Sequence, residues 1–239
     1  MNEEKYEIDN IVESTANTIV NYNLDTAIDF SEIGLDSLLD ESILNEVPLI
    51  KTAYGIAKTG FAIREKHMLK KTMIFIDKLN KNGVSNQNYK EYKEKLKAKD
   101  GFLMRELEHV LIIVDRYIEL NKNKILANLY FNYIDKQIDW KQFQELSIIV
   151  DNIFLSDLAE LESIFMKKAI TMNDINNKIS FRRLKTQNLI EDIESMRRRA
   201  NGSIGMYFNE NDYQITLLGE LLFKYGVSKG EWKLWILIY

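Results

Sequence analysis

The chain has 239 residues, 46% hydrophobic and 28% charged, with one proline and ten glycines, which suits one large or two small mostly helical domains rather than a sandwich or barrel. It contains no cysteine, excluding disulfides, thiolate nucleophiles, iron–sulfur clusters and cysteine zinc sites. The formal charge of −4 conceals segregation: one basic residue against twelve acidic in 1–46, eighteen against ten in 47–138, thirteen against fourteen in 139–239. The acidic total therefore does not argue against a nucleic-acid or membrane partner.

The opening MNEEKYEIDN is acidic and lacks an apolar stretch, so no secretory signal is read and a cytoplasmic bacterial setting is expected. Glu3 to Asn21 carries Tyr6, Ile8, Ile11, Val12, Ala16, Ile19 and Val20 at broadly helical spacing. Short helices follow from Leu24 to Leu44, with Asp36 or Ser42 as caps. Pro48 then marks a helix start in the less polar VPLIKTAYGIAKTGFAI, Val47 to Ile63. At 17 residues, with Lys51 and Lys58 inside it, this run is too short and too charged for a confident spanning helix. Its small residues (Ala53, Gly55, Ala57, Gly60, Ala62) would let another helix approach closely. Arg64, Lys66, Lys70 and Lys71 come next, then apolar Met73, Ile74, Phe75 and Ile76.

Two readings stand for Val47 to Ile76. One is a pair of core helices in a soluble bundle. The other is a membrane-active segment that enters or lies on a bilayer when released, with Tyr54, Gly55, Ile56, Gly60, Phe61 and Ile63 meeting the lipid and the flanking lysines engaging anionic headgroups.

Asn80 to Asp100 is polar and lysine-rich, with a turn at Asn82-Gly83 and an exposed helix over KEYKEKLKAKD. Leu103, Leu107, Val110, Val114 and Tyr117 recur at spacings of 4, 3, 4 and 3, predicting a helix from Phe102 to Tyr117 with a seam for another helix. That seam packs either within the chain or across a homo-oligomer interface. A further helix runs through Leu126, Leu129, Tyr130, Tyr133 and Ile134. Asp139-Trp140 is taken as the start of a second domain, dividing the chain into 1–138 and 139–239. This domain opens with two amphipathic helices, one through Phe143, Leu146, Ile149, Val150 and Ile153, the other through Leu158, Leu161, Ile164 and Phe165. Ala169 to Lys178 is expected to be loop.

Ser180 can cap the next helix, placing Arg182, Arg183 and Lys185 on or beside its exposed face. Leu184, Leu189 and Ile190 are its apolar residues, and Arg197, Arg198 and Arg199 lie in the connection that follows. Two strands, one with Ile204, Met206 and Phe208 and one with Tyr213 and Ile215, are predicted to meet at Asn209–Asp212. Thr216 suits an N-cap and Gly226 the position after the last helix. The tail, with Trp232, Trp235, Ile236, Leu237 and Ile238, is apolar enough to require docking on a core or partner.

This order, from Phe181 to Gly226, resembles the C-terminal half of a winged helix-turn-helix domain, the match resting on Leu189-Ile190, Tyr213-Gln214-Ile215-Thr216 and Gly219. The resemblance implies a mainly α protein, an N-terminal helical bundle plus a winged-helix-like domain with a short β-hairpin. It also implies that Arg182, Arg183 and Lys185 face a groove while Arg197, Arg198 and Arg199 contact phosphates. Glu191 to Asn201 departs from the pattern, being long and acidic at Glu191, Asp192 and Glu194. Modules of this kind also bind protein, and the arginines would then be solvated. Tyr207, Phe208 and Tyr213 would suit a single-stranded oligonucleotide through base stacking, although aromatics at strand spacing also serve as core.

His67 and His109 stand far apart, and no phosphate-loop, dinucleotide or nucleophile-elbow motif occurs. No enzyme, metal or cofactor is therefore expected. Taken together, ESILNEVPLIKTAYGIAKTGFAIREKHMLKK, the helical middle and the Y-x-I-T-x-x-G ending resemble a diffuse group of uncharacterised bacterial and prophage proteins. Some of these sit in anti-phage defence loci, including abortive-infection proteins and the membrane-effector subunit of the Hailong system. The resemblance implies a resting homo-oligomer held inactive by a bound nucleotide or oligonucleotide. On release it would damage the inner membrane, with 47–76 as the membrane element and the basic C-terminal module as the sensor. The alternatives are a winged-helix DNA-binding regulator and a protein-interaction scaffold.

Overall fold

A computed structural model describes residues 3–22, 29–56, 62–198, 204–227 and 233. The chain is mainly helical with one small antiparallel sheet of three strands, and it divides into two compact units, Met1–Ser147 and Ile148–Tyr239.

The first unit contains α1 (Glu3–Asn21), α2 (Glu41–Glu46), α3 (Pro48–Ile56), α4 (Ile63–Gly83), α5 (Gln87–Lys97), α6 (Gly101–Arg116), α7 (Lys122–Ile134) and most of α8 (Trp140–Asn152). Val47 to Ile76 is thus carried by two helices, and Leu69, Met73, Ile74, Phe75, Ile76 and Leu79 are all buried as α4 packs against α6 and α7. The α6 seam behaves as its spacing requires, with Leu107, Val110, Val114 and Tyr117 buried and the Tyr117 hydroxyl donating to the Ser147 carbonyl at 2.7 Å. Asp100 caps α6, its Oδ1 accepting from the amides of Phe102 and Leu103. Pro48 opens α3 as expected, and the free amide at Leu49 is met from another helix. Thr18 Oγ1 of α1 accepts from it at 3.0 Å while donating to the Ser14 carbonyl. Asn82-Gly83 is not a free turn but the last turn of α4. A side chain at Gly83 would meet the Tyr89 ring at 2.0 Å.

The second unit holds α9 (Leu158–Lys167), β1 (Ala169–Thr171), α10 (Lys178–Thr186), β2 (Ile190–Arg198), β3 (Ile204–Ile215) and α11 (Leu217–Leu221), which runs on into a π-type turn, Leu222–Val227. Strand order is β1-β3-β2, all pairs antiparallel.

Five sequence expectations change here. Ala169–Lys178 contains β1 and a 3-10 turn, Met172–Asp174, rather than only loop. The cap of α10 is Asn177, whose Oδ1 accepts from the amides of Ile179 and Ser180, while Ser180 itself is buried. Asn209–Asp212 is not the hairpin turn but lies inside β3. Ile190, read as helical, and Glu191 to Arg198, read as part of a connection, form β2, and the ladder is irregular between Asp192 and Glu194. Gly226 does not follow the last helix but falls within the π-type turn. Asn and Asp favour turns because their side chains bond nearby backbone. Here they fall where the β2–β3 register jumps from Tyr213 to Phe208, and of the four only Asp212 has a strand partner, Thr171 of β1.

Leu189-Ile190 and the Thr-x-x-Gly run have a packing explanation. Asn188 adopts φ 59°, the Leu189 amide returns to the Leu184 carbonyl at 3.0 Å, and the chain leaves α10 straight into β2. Thr216 donates its hydroxyl to the Asn188 carbonyl at 2.7 Å and accepts from the Gly219 amide at 3.1 Å. A side chain at Gly219 would meet the Leu189 carbonyl oxygen at 2.4 Å. The motif joins the end of α10 to the start of α11.

Candidate nucleic-acid interface

The positioning of α10 begins with a buried carboxylate. Glu160 of α9 accepts from the amides of Asn176 at 3.2 Å and Asn177 at 3.0 Å, fixing the backbone from which α10 starts. Phe181 and Leu184 bury the inner face of the helix. Lys178 and Arg182, one helical turn apart, are exposed along an outer line. Beside it runs a second line, Ile179 and Arg183, with Ile179 exposed.

The sequence-selected cations fare differently. Arg183 turns to the fully buried Asp157, its Nε donating to Oδ2 at 2.7 Å and a terminal nitrogen to Oδ1. Its guanidinium also lies 4.6 Å from the centre of the Phe154 ring. Lys185 pairs with Asp192 at 2.8 Å and sits 4.9 Å from the Tyr213 ring centre. Tyr213 is buried and meets Phe181 edge-on at 4.8 Å, so it serves the core. Arg197 and Arg198 close β2, paired in register with Gly205 and Ile204, and Tyr207 pairs with Ser195. Arg199 lies outside the described residues. The structure thus keeps Lys178 and Arg182 outward on α10, and sets Arg197 and Arg198 at the far end of the β2–β3 ladder. Lys178 and the loop residues Phe154 and Asp157 were not singled out in the sequence. The only cue to Lys178 is its place directly after the capping Asn177.

The proposed membrane residues lie in the other unit. Tyr54 is exposed, Gly55 has open space where a side chain would stand, and Ile56 ends α3. Ile63 opens α4 and is exposed, while Gly60 and Phe61 lie outside the described residues. The basic residues expected to engage lipid have protein partners. Arg64 pairs with Asp115 at 2.9 Å and Lys66 with Asp36 at 2.5 Å. Lys70 donates to the Ile33 carbonyl at 2.6 Å, and Lys71 to the carbonyls of Asp115 and Tyr117 at 2.6 and 3.1 Å, where α6 ends. A cation suits those unsatisfied carbonyls. Burial holds the pKa of both Lys70 and Lys71 below the ordinary lysine value. Among the described residues, no helix is long and apolar enough to cross a membrane.

The first unit also buries a carboxyl. Glu106 accepts from the Tyr133 hydroxyl at 2.5 Å, and its other oxygen has no hydrogen-bond partner among the described residues. Burial pushes its pKa up. Around it stand Tyr92 and Tyr130, joined hydroxyl to hydroxyl at 3.1 Å. The rings of Tyr133, Trp140 and Phe143 pack on one another with centroids 5.1–6.2 Å apart. His109 meets Trp140 edge-on at 5.8 Å, a packing role. Among the described residues, no three histidine, aspartate or glutamate side chains are grouped to hold a metal ion.

Comparison with known proteins finds no matching family model, no matching curated protein and no matching solved structure.

Proposed function

We propose that the chain is a non-enzymatic nucleic-acid-binding protein whose second unit is a winged-helix-like module. The observation that carries this reading is the direct passage from α10 into the β2–β3 hairpin, with β1 on the other edge of β3. A cationic helix line (Lys178, Arg182) and a hairpin ending in Arg197 and Arg198 then belong to one small unit. Between β1 and α10 stands only a 3-10 turn, where a winged helix would have a full helix, so the module is an abbreviated form. Phosphate contacts by these side chains would supply most of the affinity and make it strongly salt-dependent. Nucleic-acid binding by the second unit is therefore favoured over a membrane effector, whose proposed lipid-binding cations are engaged within the protein.

The test is fluorescence anisotropy with duplex and single-stranded oligonucleotides over a salt series, preceded by absorbance and mass analysis for a copurifying oligonucleotide. Replacing Arg197, Arg198 and Arg199 together by glutamate is expected to weaken binding at least ten-fold and flatten the salt dependence. Unchanged binding by that variant, or no binding of any oligonucleotide by the native chain, overturns the proposal.

A further inference from the structure

The loop between α8 and α9 is held to α10 at two points. At one end Gln187 Nε2 donates to the Asn152 carbonyl at 3.2 Å. At the other, the Arg183 guanidinium forks onto Asp157, which has no exposure at all. Between these anchors stands Phe154, 55% exposed despite the guanidinium 4.6 Å from its ring centre. Other large hydrophobics of the chain are equally open, Phe102 among them, and what sets Phe154 apart is the anchored guanidinium over its ring. The guanidinium cannot drift off the ring without breaking a two-pronged bond to a buried carboxylate. Phe154 therefore presents an aromatic surface backed by a cation that is itself fixed, next to the helix carrying exposed Lys178 and Arg182.

We infer that Phe154 is a stacking platform for an unpaired base of a single-stranded nucleic acid. The inference rests on the nucleic-acid reading of the second unit and names the strand form it takes. Stacking needs a flat apolar face that does not move and cations within reach for the adjoining phosphates. Tyr213, one of the three sequence candidates for this role, is buried against Phe181 and cannot offer such a face. Duplex DNA keeps its bases stacked on each other, so the platform discriminates in favour of single strands. Arg183 acts as a positioning residue, and Lys178 and Arg182 supply the charge.

The experiment compares three probes of equal length by anisotropy: an ordinary single strand, an abasic single strand and a duplex. Phe154→Ala is expected to weaken the ordinary strand about ten-fold and to leave the abasic strand and duplex unchanged. Phe154→Trp restores the ordinary strand. Phe154→Leu keeps an apolar side chain beneath Arg183, and its loss of binding together with a native circular dichroism spectrum separates stacking from folding. Equal weakening of ordinary and abasic strands, or no weakening of either, overturns the inference. Arg182→Glu distinguishes the two levels of the proposal. If it weakens all three probes while Phe154→Ala weakens none, the platform fails and the nucleic-acid reading stands. If the native chain binds no probe, both fall.

Discussion

The basic runs on α4 and α10 look alike in sequence and are handled in opposite ways. Arg64, Lys66, Lys70 and Lys71 each find a partner inside the first unit, two on carboxylates and two chiefly on backbone carbonyls. On α10 only Arg183 and Lys185 are taken up by carboxylates, and Lys178 and Arg182 remain outward. A positive residue in a sequence is therefore not yet a positive surface. What decides is whether folding delivers an unsatisfied acceptor, such as the end of α6, to within reach of the ammonium group.

The largest expected effect tests that contrast directly. Lys71→Ala should cost about 2–4 kcal/mol, because it strips a buried stem and leaves two carbonyls unmet. Lys178→Ala should stay within about 0.5 kcal/mol. Urea unfolding of both variants checks this, and similar costs would erase the distinction.

Glu106 tests the limit of inward charge, since none of the described groups that act on its titration is a cation. The groups acting on it are Tyr133, Tyr92, Tyr130 and Asp100. Its folded pKa is raised above the ordinary 4.5, so the unfolded chain releases this proton first as pH rises. The group's contribution to stability is full below about 4.5 and is lost as pH climbs through the folded value. Glu106→Gln, permanently neutral and still able to accept from Tyr133, should be more stable than the native chain at pH 7 and no more stable at pH 4. Thermal unfolding at the two pH values reads the difference, and a gain at pH 4 of the same size would refute the charge argument.

The smallest effect belongs to Gly55. A side chain there meets nothing within 4 Å, so Gly55→Glu should leave stability within about 0.5 kcal/mol of native. It should also leave liposomes as intact as the native protein does. Native leakage abolished by Gly55→Glu would instead return the membrane reading to first place.

Legibility followed the range of the interactions. The α6 seam, the Pro48 start and the Thr216 cap are local, and all three hold. The strand β2 was missed because Glu191, Asp192 and Glu194 suggest a solvated connection, and its pairing with β3 depends on residues well downstream. Lys71 meets acceptors 44 and 46 residues away, and Arg183 one 26 residues away. No spacing rule reveals such partners. For the candidate site, the sequence located α10 but placed the hairpin turn at Asn209–Asp212 and Arg197 and Arg198 in a connection instead of in β2, and it revealed neither which cations stay outward nor the loop that exposes Phe154.

The sheet order has a consequence for how the chain is made. Among the described residues, β1 and β2 each bond to β3, the last of the three strands in sequence. Until Ile215 has left the ribosome, neither earlier strand has its full ladder, and β2 stands as an open edge. The first unit can settle while the remainder is still being synthesised. The second must close in a single late step, so a chain cut short before residue 204 would keep its bundle and have no sheet.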